Sequence, residues 1–303
     1  MNMNGNKKIT RKAPLFALAL LMALSFPMPG SYASKGMGNA SAINGPLQQS
    51  MIIRLSIESV FRGIKVPVMV YLPKGYGGGE KYPVWYGMHG YSSTENMWLQ
   101  YAGIGRKADE MIESGEIRPL IMVFPLTKYD SAKAIQEDMK DGKRDASQME
   151  RFLCEELLPY IDDHYDTPKS PDGRYIGGFS MGAYFALEIG FRHPDLFYKV
   201  GAFDPALRYS DFSGRQLEQW MYPYDNATKI DDAAAFAKHH GFDRLQVYLD
   251  CGGADDPFSQ GAQSLYEAFQ ARGIHAKFQM YEGGHSLRLG QIGEYLLFFS
   301  GRE

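Results

Sequence analysis

The stretch YIGGFSMGAYFALEIG, residues 175–190, leaves this chain few folds to choose from. A β-type run enters two glycines. A serine stands at the corner inside Gly178-Phe179-Ser180-Met181-Gly182, and the helix-forming run Ala183-Tyr184-Phe185-Ala186-Leu187-Glu188 follows at once. A strand that passes into a helix through so tight a corner needs glycine on both sides, where a side chain would obstruct the backbone. The serine hydroxyl is then pushed out of the sheet, above the amino terminus of the next helix. G-x-S-x-G alone can be a glycine-rich turn with an incidental serine, so the assignment needs further parts in the right places.

The rest of the chain supplies the sheet. MIIRLSIESV and KVPVMVYLP read as two consecutive strands around a turn at Arg62-Gly63. Short apolar runs follow in PVWYGMHG, RPLIMVFPL, YKVGAFDPAL, RLQVYLDCGG and HAKFQMYEGG. Between them, RKADEMIESG and AQSLYEAFQARG read as helices closed by glycine, and 146–165 places Met149, Phe152, Leu153, Leu157 and Ile161 near one helical face. Continuous apolar strands alternating with helices imply an α/β fold, a mostly parallel sheet covered on both faces. Its domain runs from about residue 51 to 303.

The first 50 residues read differently. Lys7, Lys8, Arg11 and Lys12 precede the apolar PLFALALLMALSF and then PMPGSYAS, the pattern of a secretory signal peptide over 1–33, cut after Ala33 or, as a second choice, after Ala42. The apolar run is too short to cross a bilayer comfortably, and residues 34–50 are small and polar, as in a flexible linker. Removing 1–33 removes those four cations and no acid, taking the formal charge from −3 to −7. An acidic mature chain has no electrostatic attraction to nucleic acid or to anionic lipid, so neither is expected as a partner, and no membrane anchor remains after cleavage. The two cysteines, Cys154 and Cys251, cannot build a disulfide framework and are expected as free thiols.

A serine nucleophile needs a base, and an elbow of this kind takes serine, acid and histidine in chain order. His89 and His164 precede the serine. His193 ends the helix that follows it, His239 and His240 point to different faces of a helix end, and His275 starts a strand. His285 stands in QMYEGGHSLRLG, directly after the last strand and before the final helix, where a base can fold back over the corner. The acid belongs in LQVYLDCGGADDPF: Asp250 ends the strand and could brace the loop, while Asp255 and Asp256 lie beyond the glycine turn, with Asp256 preferred. Two backbone N–H groups complete the set as an oxyanion hole, that of Met181 after the serine and that of Tyr91 in the loop GMHGYSSTENMW.

Together these segments resemble the "Putative esterase" family of α/β-hydrolases, which includes esterase D, feruloyl and acetylxylan esterases and the mycolyltransferases. The resemblance runs over most of residues 65–290, carried by VYLPKGYGGGEKYPVWYGMHGYSSTENMW, FLCEELLPYIDDHY, the elbow, LDCGGADDPF and YEGGHSLRLG. It implies the α/β-hydrolase fold, with a central sheet of about eight strands, and a triad at Ser180, Asp256 and His285 with oxyanion donors at Tyr91 and Met181. The implied activity is that of a serine carboxylesterase requiring no metal or organic cofactor. Its expected substrate is a small or polysaccharide-linked ester, such as an acetyl or feruloyl group. An acyltransferase of the mycolyltransferase type, a serine peptidase and a non-catalytic binding protein on the same fold are the alternatives. Two departures stand out: Ser286-Leu287-Arg288 where many relatives carry a tryptophan after the base, and Phe203-Asp204-Pro205 where a Ser-Gly or Ser-Pro turn is common. Trp98 and Tyr129 are pocket candidates, although large aromatics at such positions are core residues as often.

Overall fold

The computed structural model describes residues 43, 45–128, 147–207, 241–271 and 273–302. The expected signal peptide, Tyr129, His239 and His240 lie outside them. Within the described residues a sheet of eight strands forms in the order β1-β2-β4-β3-β5-β6-β7-β8. Strands β1 (Met51–Ser59) and β2 (Ile64–Leu72) make an antiparallel hairpin, and β2 also pairs antiparallel with β4 (Ile121–Pro125). The strands β3 (Val84–Met88), β5 (Arg174–Ser180), β6 (Lys199–Pro205), β7 (Gln246–Cys251) and β8 (His275–Met280) continue the sheet in parallel from β4. Parallel neighbours require crossover connections, so helices cover both faces.

The alternation of side chains along β3 sorts the core into two halves. Val84, Tyr86 and Met88 face one cluster, packed under a broken helix α2 (148–164), α3 (Met181–Arg192) and α4 (Ser259–Ala271). Trp85 faces the other, under α1 (Ile104–Glu113) and α5 (Ile292–Ser300). Gly87, Gly177 and Gly201 stand in register across β3, β5 and β6 and open a trough on that second side. Phe299 fills it. A Cβ at Gly177 or Gly201 would come within 2.8 or 2.6 Å of its ring, and the ring stacks on Trp85 with centroids 4.6 Å apart.

Helix α2 is interrupted where the periodicity predicted one continuous helix. Its segments are Gln148–Arg151, a π-turn at Phe152–Leu157, and Leu158–His164. Pro159 has no N–H to donate to the preceding turn, and the wider π-turn before it makes room for its ring. Packing also reaches back into the segment expected as linker: Leu47 exchanges backbone hydrogen bonds with Gly75 and Tyr76, and the Ser50 hydroxyl donates to Asp109. Cys154 and Cys251 are free thiols.

The glycine trough makes Phe299 a keystone of the second core half. Phe299→Ala should leave a cavity over Gly177 and Gly201 and cost about 3–5 kcal/mol, read as a lower midpoint in urea unfolding.

Candidate active site

The corner after β5 closes by backbone contact. A Cβ on Gly178 would overlap the carbonyl group of Gly182, and one on Gly182 would overlap the carbonyls of Met88 and His89 at the end of β3. Only glycine satisfies both approaches. Ser180, between them, has φ 56° and ψ −115°, a conformation that a side-chain-bearing residue holds only under constraint. Its hydroxyl oxygen lies 2.8 Å from Nε2 of His285, which is part-buried in the loop after β8. The imidazole is fixed on both faces, stacked on Phe179 at 5.4 Å and edge-on to Phe258 at 4.8 Å.

The other ring nitrogen meets a carboxylate from β6. Nδ1 of His285 is 3.0 Å from Oδ1 of Asp204, while Oδ2 of Asp204 accepts the Ser286 N–H at 2.8 Å. Because a carboxylate can only accept, Nδ1 carries the proton and Nε2 is free to accept from the serine hydroxyl. Asp256, the acid expected here from sequence, lies 3.8 Å from Nδ1, beyond hydrogen-bond reach. Its oxygens accept the backbone N–H groups of Gly252 and Phe258, both at 2.9 Å, and so close the loop after β7. Asp255 makes no contact with His285 among those described. Asp250 does brace, as its place at a strand end suggested: it is fully buried and accepts the Asp204 N–H at 2.7 Å.

Asp204 escaped the sequence reading because its position depends on a local irregularity. Phe179 pairs with Phe203, but the next partner of Ser180 is Pro205, so β6 carries one extra residue at its end. That residue is Asp204, at φ 47°. A bulge of this kind turns a side chain that the regular alternation would have pointed elsewhere. The signal was present only as the unusual acid in Phe203-Asp204-Pro205.

The three carboxylates differ in how readily they hold a proton. Burial pushes Asp250 up to about 7 and Asp256 up to about 6, the latter helped by its hydrogen bond to Asp204. Burial also works to raise Asp204, but hydrogen bonds with His285, Asp256 and Ser286 outweigh it and hold this carboxyl below its ordinary value. Donor atoms of Asp204, Asp256 and His285 all lie within 4.8 Å of one another, a spacing that could suit a metal ion. The oxygens already accept N–H groups, so the set as arranged holds protons, and a cation would have to displace them.

His89 anchors the loop after β3. Its Nε2 accepts the Thr127 N–H at 2.9 Å, and its Nδ1 donates to the Gly90 carbonyl at 2.7 Å, which the Ser93 N–H also contacts at 3.2 Å. In a trans peptide the N–H points opposite to the carbonyl, so pinning the Gly90 carbonyl turns the Tyr91 N–H the other way. Gly90 itself lies against the nucleophile, where a Cβ would sit 3.4 Å from Cβ of Ser180. Met181 is the first residue of α3, and its N–H has no intrahelical acceptor. Trp98 is not a pocket residue: it is fully buried, donates to the Met88 carbonyl at 3.2 Å and belongs to the second core half. His193 is engaged with Glu150 at 2.8 Å, and His164 is held by the Tyr160 carbonyl and ring.

The sheet order and the elbow define an α/β hydrolase with a serine–histidine–aspartate site at the carboxyl ends of its strands. Comparison with known proteins narrows this. The chain belongs to the family described as "Putative esterase", which matches residues 59–289. It is 28% identical over 222 residues to the endo-1,4-beta-xylanase/feruloyl esterase of Xylanibacter ruminicola, covering 71% of this chain and 26% of that longer protein. Among solved structures, a ferulic acid esterase superposes with a TM-score of 0.69 at 25% identity, over 83% of this chain and 98% of the other. The ferulic acid esterase AmCE1/Fae1A of Anaeromyces mucronatus gives a TM-score of 0.61 at 21% identity, over 90% and 96% of the two chains, a likeness of fold.

His89 generates a prediction in stability. Burial lowers its pKa to about 4, so the folded protein keeps it neutral where the unfolded chain, titrating near 6.5, takes up a proton. Stability contributed by this group is therefore present above about pH 6.5 and is lost as pH falls towards 4. Between pH 7.5 and 5 the loss should be about 2 kcal/mol, and His89→Gln should remove that component when urea unfolding of both proteins is compared at the two pH values.

Proposed function

We propose that this protein is an exported serine carboxylesterase that cleaves feruloyl or acetyl esters of plant polysaccharide through an acyl-serine intermediate. The observation that carries the reading is the unbroken chain of contacts from Ser180 Oγ to His285 Nε2, and from His285 Nδ1 to Asp204. The likeness to a ferulic acid esterase and to a xylanase/feruloyl esterase supports the substrate class. Export rests on the basic and apolar pattern of residues 7–33.

In the reaction His285 Nε2 takes the hydroxyl proton as Ser180 Oγ attacks the ester carbonyl carbon. The imidazolium so formed is stabilised by Asp204, which also fixes the tautomer that leaves Nε2 basic. The carbonyl oxygen becomes an oxyanion facing the N–H groups of Met181 and Tyr91, each worth roughly 3–4 kcal/mol in comparable sites. Collapse of the tetrahedral species breaks the bond to the alcohol oxygen, which leaves with the proton from His285. Water then gives its proton to Nε2, attacks the acyl-serine and releases the acid, restoring the hydroxyl. The N–H of Tyr91 is aimed by His89, so this loop histidine acts without titrating.

The test is turnover of p-nitrophenyl acetate and methyl ferulate by the full chain and by Ser180→Ala. A kcat lower by about 10⁴-fold or more in the variant, with KM little changed and folding intact, is the expected result. Equal turnover by both proteins would remove Ser180 from the mechanism. Serine-dependent turnover of the acetate but none of the ferulate would keep the esterase and discard the feruloyl substrate.

A further inference from the structure

Two carboxylates, one at the end of β6 and one in the loop after β7, converge on one imidazole, and a single triad needs one. We propose that Asp204 and Asp256 form a two-acid clamp on His285, in which Asp204 holds the Nδ1 proton at rest and Asp256 takes it over when Asp204 is removed. Asp256 is thus a positioning residue for the base as well as the closure of its own loop. The proposal rests on the reading of Ser180 and His285 as nucleophile and base.

The geometry on both sides is built. Asp204 reaches the ring at 3.0 Å from a bulge at the end of β6, its backbone held at φ 47° by the Asp250 carboxylate and its second oxygen by Ser286 N–H. A non-glycine residue in that conformation at the site is retained against strain, and the contact it makes to His285 is what the strain secures. Asp256 approaches the same nitrogen to 3.8 Å from the loop after β7, is 3% exposed, and is held in place by two backbone N–H groups. One ligand atom each of Asp204, Asp256 and His285 lies within 4.8 Å of the others. The takeover requires the imidazole to turn towards Asp256 within the space between Phe179 and Phe258. Arg288 supplies a positive charge to the cluster, 3.5 Å from Oδ2 of Asp204.

Asp204→Gly suits the local φ and leaves Asp256 facing Nδ1 without a competitor. The clamp predicts that kcat for p-nitrophenyl acetate falls by no more than about 100-fold in Asp204→Gly and in Asp256→Asn, with KM little changed. The double variant should lose about 10⁴-fold, the cost of an imidazole with no carboxylate partner. The low-field proton NMR resonance of the His285 Nδ1–H should persist in each single variant and vanish in the double. A single variant that loses as much as the double overturns the proposal and leaves a one-acid triad. Loss of the resonance in Asp204→Gly overturns it as well, and that measurement decides the matter even where Asp256→Asn does not fold. Were the wild-type protein inactive on esters, the esterase reading would fall, while the resonance in Asp204→Gly would still decide the clamp.

Discussion

Helix α3 and the end of β3 approach each other more closely than any side chain permits, and the architecture of the site hangs on that contact. Gly182 rests directly on the carbonyls of Met88 and His89, and Gly178 rests on Gly182. With both Cβ atoms absent, the chain can reverse within one residue, and that residue is Ser180. Its positive φ costs of order 1–3 kcal/mol, which the surrounding packing must sustain. The same absence of side chains recurs deeper in the sheet, where Gly177 and Gly201 let Phe299 lie on bare backbone, and Gly87 does the same for Phe124. Glycine therefore sets the geometry twice, at the reactive corner and in the core beneath it.

Most of this could be read in the sequence because it follows from local pattern. The strands appear as short apolar runs, the elbow as two glycines around a serine, and His285 as the histidine placed after the last strand. Met181 begins the helix after the elbow and Tyr91 follows the end of β3, the places at which the sequence expected them. What could not be read depends on contacts between distant residues. Asp204 faces His285 because β6 carries a one-residue excess against β5, and such a register shift has no signature in composition or periodicity. The buried state of Trp98 follows from its packing with Trp85, Phe124 and Phe203, which the loop sequence around it does not announce. The break in α2 was signalled by Pro159, but apolar spacing alone outweighs a single proline in such a reading.

The electrostatics of the site pull stability in two directions. His89 is neutral when folded and favours higher pH. Asp250 and Asp256 are pushed the other way: both bind a proton more readily in the folded protein than in the unfolded chain. The stability they contribute is present below about pH 4 and is lost as pH rises through about 6 for Asp256 and about 7 for Asp250. Near neutral pH, where the base must be unprotonated to act, the fold therefore carries buried carboxylates at their least favourable. A protein selected for stability alone would have little reason to place two aspartates beside one histidine and a third buried behind them.

That cost has a use if each acid does something a neutral residue could not. Asp250 accepts the Asp204 N–H and so keeps the bulge in its strained shape, a task that an amide could share. Asp204 must be an ion, because it faces an imidazole that becomes positive each time Ser180 gives up its proton. Asp256 sits between these cases, satisfied by backbone donors yet within 3.8 Å of the same nitrogen. As positive charge develops on His285, both carboxylates lie close enough to stabilise it, Asp204 by direct contact and Asp256 at 3.8 Å. The acids then act as one partner with two anchors, one held by a strained bulge and the other by the closed loop after β7.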